Sequence, residues 1–585
     1  SRSEVVVDGT VFDNASAIKG YTVPLLVPSE PGSPCPYVLQ EVTLHHILSG
    51  ETHNYPAHVS PFPGCATEIG GEIRDQLGVG IGSDILYAGC GRVVGSIWFP
   101  SGYRIPGEIL NDRLDQYTYP PDKAKPIKIV LDGLRGWHYY ANCFGRPLTY
   151  GFFYSGAVWV PRRGTDGEIY FERVESLKPV CFGVSGGTVR QEHLVKGLPT
   201  KGMVIIQVGG PSFRIGFCGG SGSSAVSGSN TAGFDKNAVQ RGNPEMERRF
   251  YQVLLACIAM GKKNPIRSLH DQGAGGIANV LTELIEKCGG KLYLGAVNRG
   301  DASMSDLEVW VCEYQERQGL VIDREDLEAF LAICVRENCP CEILGEVTGD
   351  GVLSVYSQAS AQEAEEQGAD PVIELNLAEV LADMPPIELS DTTREDFRLP
   401  LTIPEILTFD RALRLVLRRS EVGSKGWALR TVDGSVGGQV VLGPRCGPYN
   451  TPVNDCSLVA LGRGGFAAQA ASLGIAPYKT TLDPASGGRM AIAEMITNLM
   501  GVFIERFENI QCICNWMWPA NIKPPDGELA RLVATAEAIR EALEELLIAI
   551  IGGKDSSSLA TKVYDLLVKS IETVVFSSVV GVSDF

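Results

Sequence analysis

Apolar positions recur along this chain with two periods, and the switches between them predict its elements. Residues 201–210 (KGMVIIQVGG) form a continuous apolar run closed by a glycine pair, the pattern of a buried strand. Residues 244–263 place apolar side chains three and four apart, with proline first, glutamates in the first turn and lysines at the end. That combination predicts an amphipathic helix. A helix of the same kind is predicted over 323–338, and 268–276 (SLHDQGAGG) leads into another. Two long helical segments are expected around 489–505 and 527–551, the second ending at Gly552-Gly-Lys-Asp-Ser-Ser-Ser558. Residues 571–581 predict a buried strand, and residues 1–195 mix short strand-like runs with loops. Between about 357 and 405 the chain turns acidic and proline-bearing, with no lysine from Lys291 to Lys425, and a solvated linker is expected there.

A length of 585 residues exceeds one core and predicts three or four domains. The hydrophobic fraction of 44% and charged fraction of 21% are those of a soluble globular protein. A net charge of −18 argues against nucleic acid as the main partner, because no basic stripe is present to displace counterions. No apolar run is long enough to span a membrane, and the N-terminus does not read as a signal peptide. The sixteen cysteines are scattered through apolar stretches, as reduced core cysteines are, so a reducing, cytosol-like compartment is expected. Cys339-Pro-Cys341 and Cys512-Ile-Cys514 lack zinc-ligand spacing and are read as structural.

Chemistry concentrates at Glu51-Thr-His-Asn-Tyr-Pro56 and Gly70-Gly-Glu-Ile-Arg-Asp75. Carboxylates such as Glu51 and Asp75 suit a hard cation, and Arg74 suits phosphate. Paired glycines, Gly70-Gly71 here and Gly437-Gly438 further on, are expected to bring backbone N–H groups to a nucleotide, with Pro61-Phe-Pro-Gly64 forming a turn before the first pair. All seven histidines lie in the first half, and His53 has the most polar surroundings. His270, before Asp271, is read as a structural hydrogen-bonding residue. Asp75, Asp271 and Glu313 each lie beside an apolar run and a turn, while Gln240 and Gln315 offer neutral amides suited to a substrate amide or ribose hydroxyl. The 552–558 turn lacks the spacer of a Walker A loop, and no cysteine sits in a nucleophile elbow.

Taken in order, ETHNYP, SPFPG with GGEIRD, VGGPSFRIG, AVQRGNPEME, SLHDQGAGG, EYQE, DGSVGG, AEMITNL, NWMW and GGKDS resemble the large, single-chain formylglycinamide ribonucleotide amidotransferases (phosphoribosylformylglycinamidine synthases). The resemblance covers residues 12–558. It implies an α/β (α+β) fold of alternating A and B domains, related to aminoimidazole ribonucleotide synthetase. A first A-type domain is expected at 1–195, a B-type domain at 200–356, the acidic linker at 357–405 and a second A-type domain at 406–585. It implies ATP-dependent amidation of formylglycinamide ribonucleotide in purine biosynthesis, through an iminophosphate displaced by ammonia from a glutaminase domain, with Mg²⁺ and ATP required. His53 then matches a catalytic histidine, and Glu51, Asp75 and Asp271 match magnesium-associated carboxylates. Arg74, Gln240, Glu313 and Gln315 match substrate-side positions. Asp433, Glu494 and Asn498 match the metal residues of a second, largely structural nucleotide site, with Gly437 and Gly438 nearby in sequence. Lys554, Asp555 and Ser556 match a loop that the second A domain contributes.

Departures from the family pattern accompany the match. An upstream Ser-Glu-His-Cys-Arg-His segment, a second B domain and a Cys-His-Glu glutaminase have no counterpart in these residues, so the chain alone is expected to be inactive. Ile81 and Tyr154 stand where arginines are usual, and Asn243 replaces an aspartate. Two function classes follow: the synthetase portion of an amidotransferase, or a binding or scaffold protein derived from the family. The intact carboxylate motifs favour the enzyme, since a scaffold has no need of metal-site carboxylates.

Overall fold

The computed structural model describes residues 15–585 apart from 100, 109–118, 121, 165, 315, 383–384, 387, 395–396 and 523–525. Its first sheet has five strands in the spatial order Ala15–Pro28, Tyr37–Thr52, Val180–Arg190, Asp84–Val94 and Leu148–Ser155. Neighbours are antiparallel except the last pair, which is parallel. Parallel neighbours need a crossover, and helix Pro126–Phe144 supplies it.

The last third of the chain builds the same plan again. Strands Cys456–Ala460, Ala468–Ile475, Thr573–Val582, Gln511–Met517 and Ala549–Ser556 lie in that order, with Val440–Leu442 added beside the first. The final pair is again parallel and joined by a helix, Glu528–Leu546. In each copy a helix follows the second strand: Pro61–Leu77 in one, Pro484–Asn498 in the other, both opened by proline at the first helical position. The two sheets pack face to face, with Leu44, Leu48, Phe182 and Val184 against Leu473, Ile513, Val575 and Val579. Burial on both faces explains why the central strands read as unbroken apolar runs.

Between the two copies in sequence lies a seven-stranded sheet, ordered Ile373–Asn376, Val352–Tyr356, Gly290–Tyr293, Cys341–Val347, Val204–Gly209, Arg317–Ile322 and Ile266–Asp271. Helix Pro61–Leu77 is the joint between this unit and the first sheet. Its Ile69, Ile73 and Leu77 share one core with Val204, Ile206, Phe250 and Leu254. Among the described residues no helix is long and apolar enough to cross a membrane.

Several expectations are corrected. Pro61-Phe-Pro-Gly64 is the first turn of helix Pro61–Leu77 rather than a turn before it, because first-turn N–H groups have no helical partner for proline to remove. The 552–558 segment lies largely in strand Ala549–Ser556, and the preceding helix stops at Leu546, where Leu547 turns left-handed at φ 59°. The stretch expected as a linker starts with helix Ala361–Gln367, capped by Ser360, and strand Ile373–Asn376, whose Ile373 and Leu375 pack against the core that holds Leu292, Leu353 and Val355. The described residues of 382–408 form no helix or strand. Asn243, the aspartate replacement, caps helix Pro244–Ala259 by accepting from the Met246 N–H at 3.2 Å.

The helices Pro61–Leu77 and Pro126–Phe144 cross at Gly136, where an added Cβ would lie 3.0 Å from the Ala66 nitrogen and closer still to the Phe62 carbonyl oxygen. Gly136→Ala should therefore destabilise the protein by about 1–3 kcal/mol in chemical denaturation, although alanine is the better helix former by about 1 kcal/mol. An unchanged or raised stability would show that the helices can separate freely.

Candidate functional site

The site forms where the ends of three sheets meet. Glu51 closes strand Tyr37–Thr52, and His53 follows it as the N-cap of the short helix Asn54–Val59. The His53 N–H donates to the Cys181 carbonyl oxygen at 2.9 Å, and Asn54 Oδ1 accepts from the Cys181 N–H at 2.8 Å. These two bonds lock the strand-to-helix turn to strand Val180–Arg190. Asp75 lies near the C-terminal end of helix Pro61–Leu77, and a Cβ on Gly78 would stand 3.7 Å from Asp271 Oδ1. Lys554 comes from strand Ala549–Ser556 of the repeated sheet and pairs with Glu51. Beside it, Ser556 and Thr52 share a hydroxyl hydrogen bond of 2.9 Å.

Electrostatics show how closely these groups converge. Burial pushes the Asp75 carboxyl well above the usual range, and Asp271 and Glu51 add to the push while Lys554 and Arg74 oppose it. Glu72, one turn earlier on the same helix face, is also raised, by burial and then by Asp75 and Glu51. Burial would lower Lys554, but Glu51, Asp75 and Glu72 outweigh it and keep the ammonium charged. Burial lowers His53 to about 4 despite Glu51, with Arg74 and Lys554 contributing, so the imidazole is neutral at pH 7. Its Nε2 is enclosed without a hydrogen-bond partner.

A second cluster lies further into the seven-stranded unit. Glu313 accepts from Gln240 Nε2 at 2.6 Å and from the N–H groups of Gly220 and Gly275, both at 3.3 Å. Burial raises its carboxyl to about 6 against these donors. Two glycine pairs, Gly219-Gly220 and Gly275-Gly276, thus converge on one carboxylate.

Other expected positions are placed differently. Arg74 is buried between Glu247, at 3.4 Å, and Glu316, at 3.3 Å, with the Tyr140 hydroxyl in hydrogen-bond reach of both carboxylates. It fastens the first unit to the second instead of opening to a phosphate. Gly70 and Gly71 lie inside helix Pro61–Leu77, where their N–H groups serve the helix, so they do not form a phosphate cradle. An added Cβ on Gly70 would strike the Tyr140 ring at 2.7 Å, which explains the glycine by packing. Glu494 accepts from the Ile475 N–H at 2.6 Å and Asn498 donates to the Leu473 carbonyl at 2.9 Å, so both align on one strand end. Among the described residues no hydrogen bond or ion pair links Asp433 to them; its N–H donates to Asn142 Oδ1 at 3.0 Å. Gly437 and Gly438 form a turn at positive φ, with the Gly437 carbonyl accepting from Arg463. Gln315 lies outside the described residues. His270 pairs with Glu283 at 3.0 Å. Glu72, Glu247 and Glu316 escaped the sequence reading, although each stands within a motif it singled out.

Comparison with known proteins follows the same division of the chain. Residues 200–358 match the family model "AIR synthase related protein, C-terminal domain", and residues 424–584 match "FGAR-AT PurM_N-like domain". The human phosphoribosylformylglycinamidine synthase is 36% identical over 574 residues, covering 97% of this chain and 42% of the human protein. The chain is a homologue of the phosphoribosylformylglycinamidine synthases. The probable chloroplastic/mitochondrial synthase of Arabidopsis thaliana is likewise 36% identical, over 98% of this chain and 40% of its own length. The chain thus spans about two fifths of these synthases. Among solved structures, Thermotoga maritima PurL complexed with FGAR has a TM-score of 0.65 at 19% identity, covering 95% of this chain and 76% of that one. The same protein complexed with ATP gives 0.61 at 18% identity, covering 96% and 74%. The fold is therefore that of PurL, and the α+β architecture expected from the motifs is present.

An acid whose folded pKa is raised opposes folding once it ionises. The stability tied to neutral Asp75 is present below its unfolded pKa near 3.9 and is lost as pH rises through the folded value. At pH 7 in chelator, Asp75→Asn should raise Tm, because asparagine neither takes up a proton nor brings a charge into the junction on folding. In MgCl₂ the wild type should gain stability and the variant gain little. Thermal melts with and without chelator check both.

Proposed function

We propose that this chain carries the synthetase chemistry of its family: ATP-dependent amidation of formylglycinamide ribonucleotide to formylglycinamidine ribonucleotide, with ammonia supplied by a glutaminase domain. The observation that carries the reading is the convergence of Glu51, His53, Asp75, Asp271 and Lys554, from four separate segments, on one junction. Surface carboxylates have no reason to crowd until burial and like charge push one of them well above the usual carboxylate range. Crowding of this kind suits a hard cation held through oxygen, and Glu51, Asp75 and Asp271 are the residues that would hold Mg²⁺, with Glu72 behind them. Bound there, Mg²⁺ would neutralise charge on phosphate oxygens.

The chain's own groups divide the remaining work. Lys554, held charged by three carboxylates, is placed to exchange Glu51 for a nucleotide phosphate oxygen. Thr52 and Ser556 offer paired hydroxyls alongside. His53 is neutral at working pH, and its enclosed Nε2 can accept a proton from ammonia as the C–N bond forms. The lock between residues 53–54 and Cys181 fixes that ring's position. Glu494 and Asn498 keep one free acceptor oxygen each after bonding the strand, which fits the second, structural nucleotide site. The scaffold alternative gains no supporting observation from the geometry.

The test uses the full-length protein with ATP, formylglycinamide ribonucleotide and ammonium chloride in place of glutamine. ADP release and product formation are expected, and His53→Ala should lower kcat by about 100-fold or more with little change in KM. The 585-residue segment alone should turn over very slowly. Failure of the wild-type protein to couple ADP release to amidation would sink the assignment.

A further inference from the structure

Behind the His53 turn, Cys65 Sγ, a Glu68 carboxylate oxygen and Cys181 Sγ lie within 4.8 Å of one another. Cys65 and Glu68 are three residues apart on one face of helix Pro61–Leu77, and Cys181 faces them from strand Val180–Arg190. All three are buried, with Glu68 3% exposed and both cysteines 0%. Glu68 Oε2 accepts from Trp137 Nε1 at 2.8 Å, but Glu68 Oε1 is buried without a hydrogen-bond partner. A native interior rarely leaves a carboxylate oxygen so placed. Arg92 donates from Nη2 to Cys65 Sγ at 3.0 Å and stacks on Trp137 with its guanidinium carbon 3.8 Å from the ring centre.

We propose that Cys65, Glu68 and Cys181 form a buried site for a borderline-soft divalent cation of the zinc class, separate from the magnesium carboxylates. Two sulfurs and one oxygen are a ligand set zinc accepts, and three protein ligands leave one tetrahedral position open. Charge closes as well: two thiolates and a carboxylate carry −3, and Arg92 with a divalent ion carries +3. The cation would give Glu68 Oε1 its missing partner, while Arg92 acts as the outer donor that fixes a coordinating thiolate. The ligand backbone is already held, since the Cys181 N–H and carbonyl are both bonded to the His53–Asn54 turn. Such an ion would pin helix Pro61–Leu77 to strand Val180–Arg190 and thereby hold His53. Full burial means that it enters while the chain folds.

The 585-residue chain, expressed with zinc and purified anaerobically, should contain about one zinc per chain by elemental mass spectrometry. Cobalt in its place should give a sulfur-to-metal charge-transfer band. Cys65→Ser with Cys181→Ser should abolish both signals, Glu68→Gln should weaken metal retention by about tenfold or more, and Cys339→Ser should leave both intact. Should the double variant fail to fold, Glu68→Gln decides, because it keeps side-chain size and a donor for the cavity. Metal-free protein with both thiols free, or with a Cys65–Cys181 disulfide by mass spectrometry, would overturn the proposal, as would full retention by Glu68→Gln.

Discussion

A buried charge must be paired, neutralised or bound to a cation, and helix Pro61–Leu77 carries buried Glu68, Glu72 and Arg74 and partly buried Asp75 into the joint between sheets. Every feature of the site follows from how those four are answered. Arg74 is answered by Glu247 and Glu316, which ties the first unit to the second. Glu68 is half answered by Trp137, Glu72 accepts from the Ser49 hydroxyl at 3.5 Å, and Asp75 stands between like charge from Asp271 and Glu51 and opposite charge from Lys554 and Arg74. A helix serving only as a spacer would present its apolar stripe to each core and its polar face to water. This one has a core on both sides, so its polar residues had to become structural or functional.

Repetition of one sheet plan explains how residues some five hundred positions apart meet. The two repeated sheets pack face to face through strands Tyr37–Thr52 and Thr573–Val582, with Ala549–Ser556 alongside. That packing brings Lys554 to Glu51 and Ser556 to Thr52. Large apolar burial at roughly 25 cal/mol per Å² fixes the relation of the sheets, and the polar contacts at their ends then need little extra ordering. The seven-stranded unit adds Asp271 from the end of an edge strand, the usual place for a ligand-binding side chain on a rigid frame.

Much of the fold was legible where propensity and burial agreed. Strand Val204–Gly209 and helix Pro244–Ala259 were both plain in the sequence, the first as an apolar run and the second from its proline, cap and spacing. Two elements were hidden by local chemistry that tertiary contacts override. Prolines made Pro61–Gly64 look like a turn and hid the start of helix Pro61–Leu77, in which Gly64 packs on the Pro56 backbone and Gly70 on Tyr140. Gly552-Gly-Lys-Asp-Ser looked like a loop, yet it pairs with Gln511–Met517, and Gly553, at φ 148°, allows close approach to the Cys514 backbone. At the site, Glu51 could be picked out as a carboxylate in a polar cluster, and Asp75 and Asp271 as carboxylates beside an apolar run and a turn. The role of Arg74 could not, because its partners are set by packing between units. Cys65, Glu68 and Cys181 gave no sequence signal, since only the fold joins a helix spacing of three to a distant strand.

The central claim is that the two repeated sheets share one cation site, with Lys554 competing for Glu51. Calorimetric titration of Mg²⁺ into the wild type, Glu51→Gln, Lys554→Met and the double variant measures this directly. Removing the competing ammonium should tighten Mg²⁺ binding, removing the carboxylate should weaken it, and the two effects should be non-additive because the groups touch. Additive effects, or an affinity indifferent to Lys554, would contradict a shared site and leave the Glu51–Lys554 pair as a structural bridge alone.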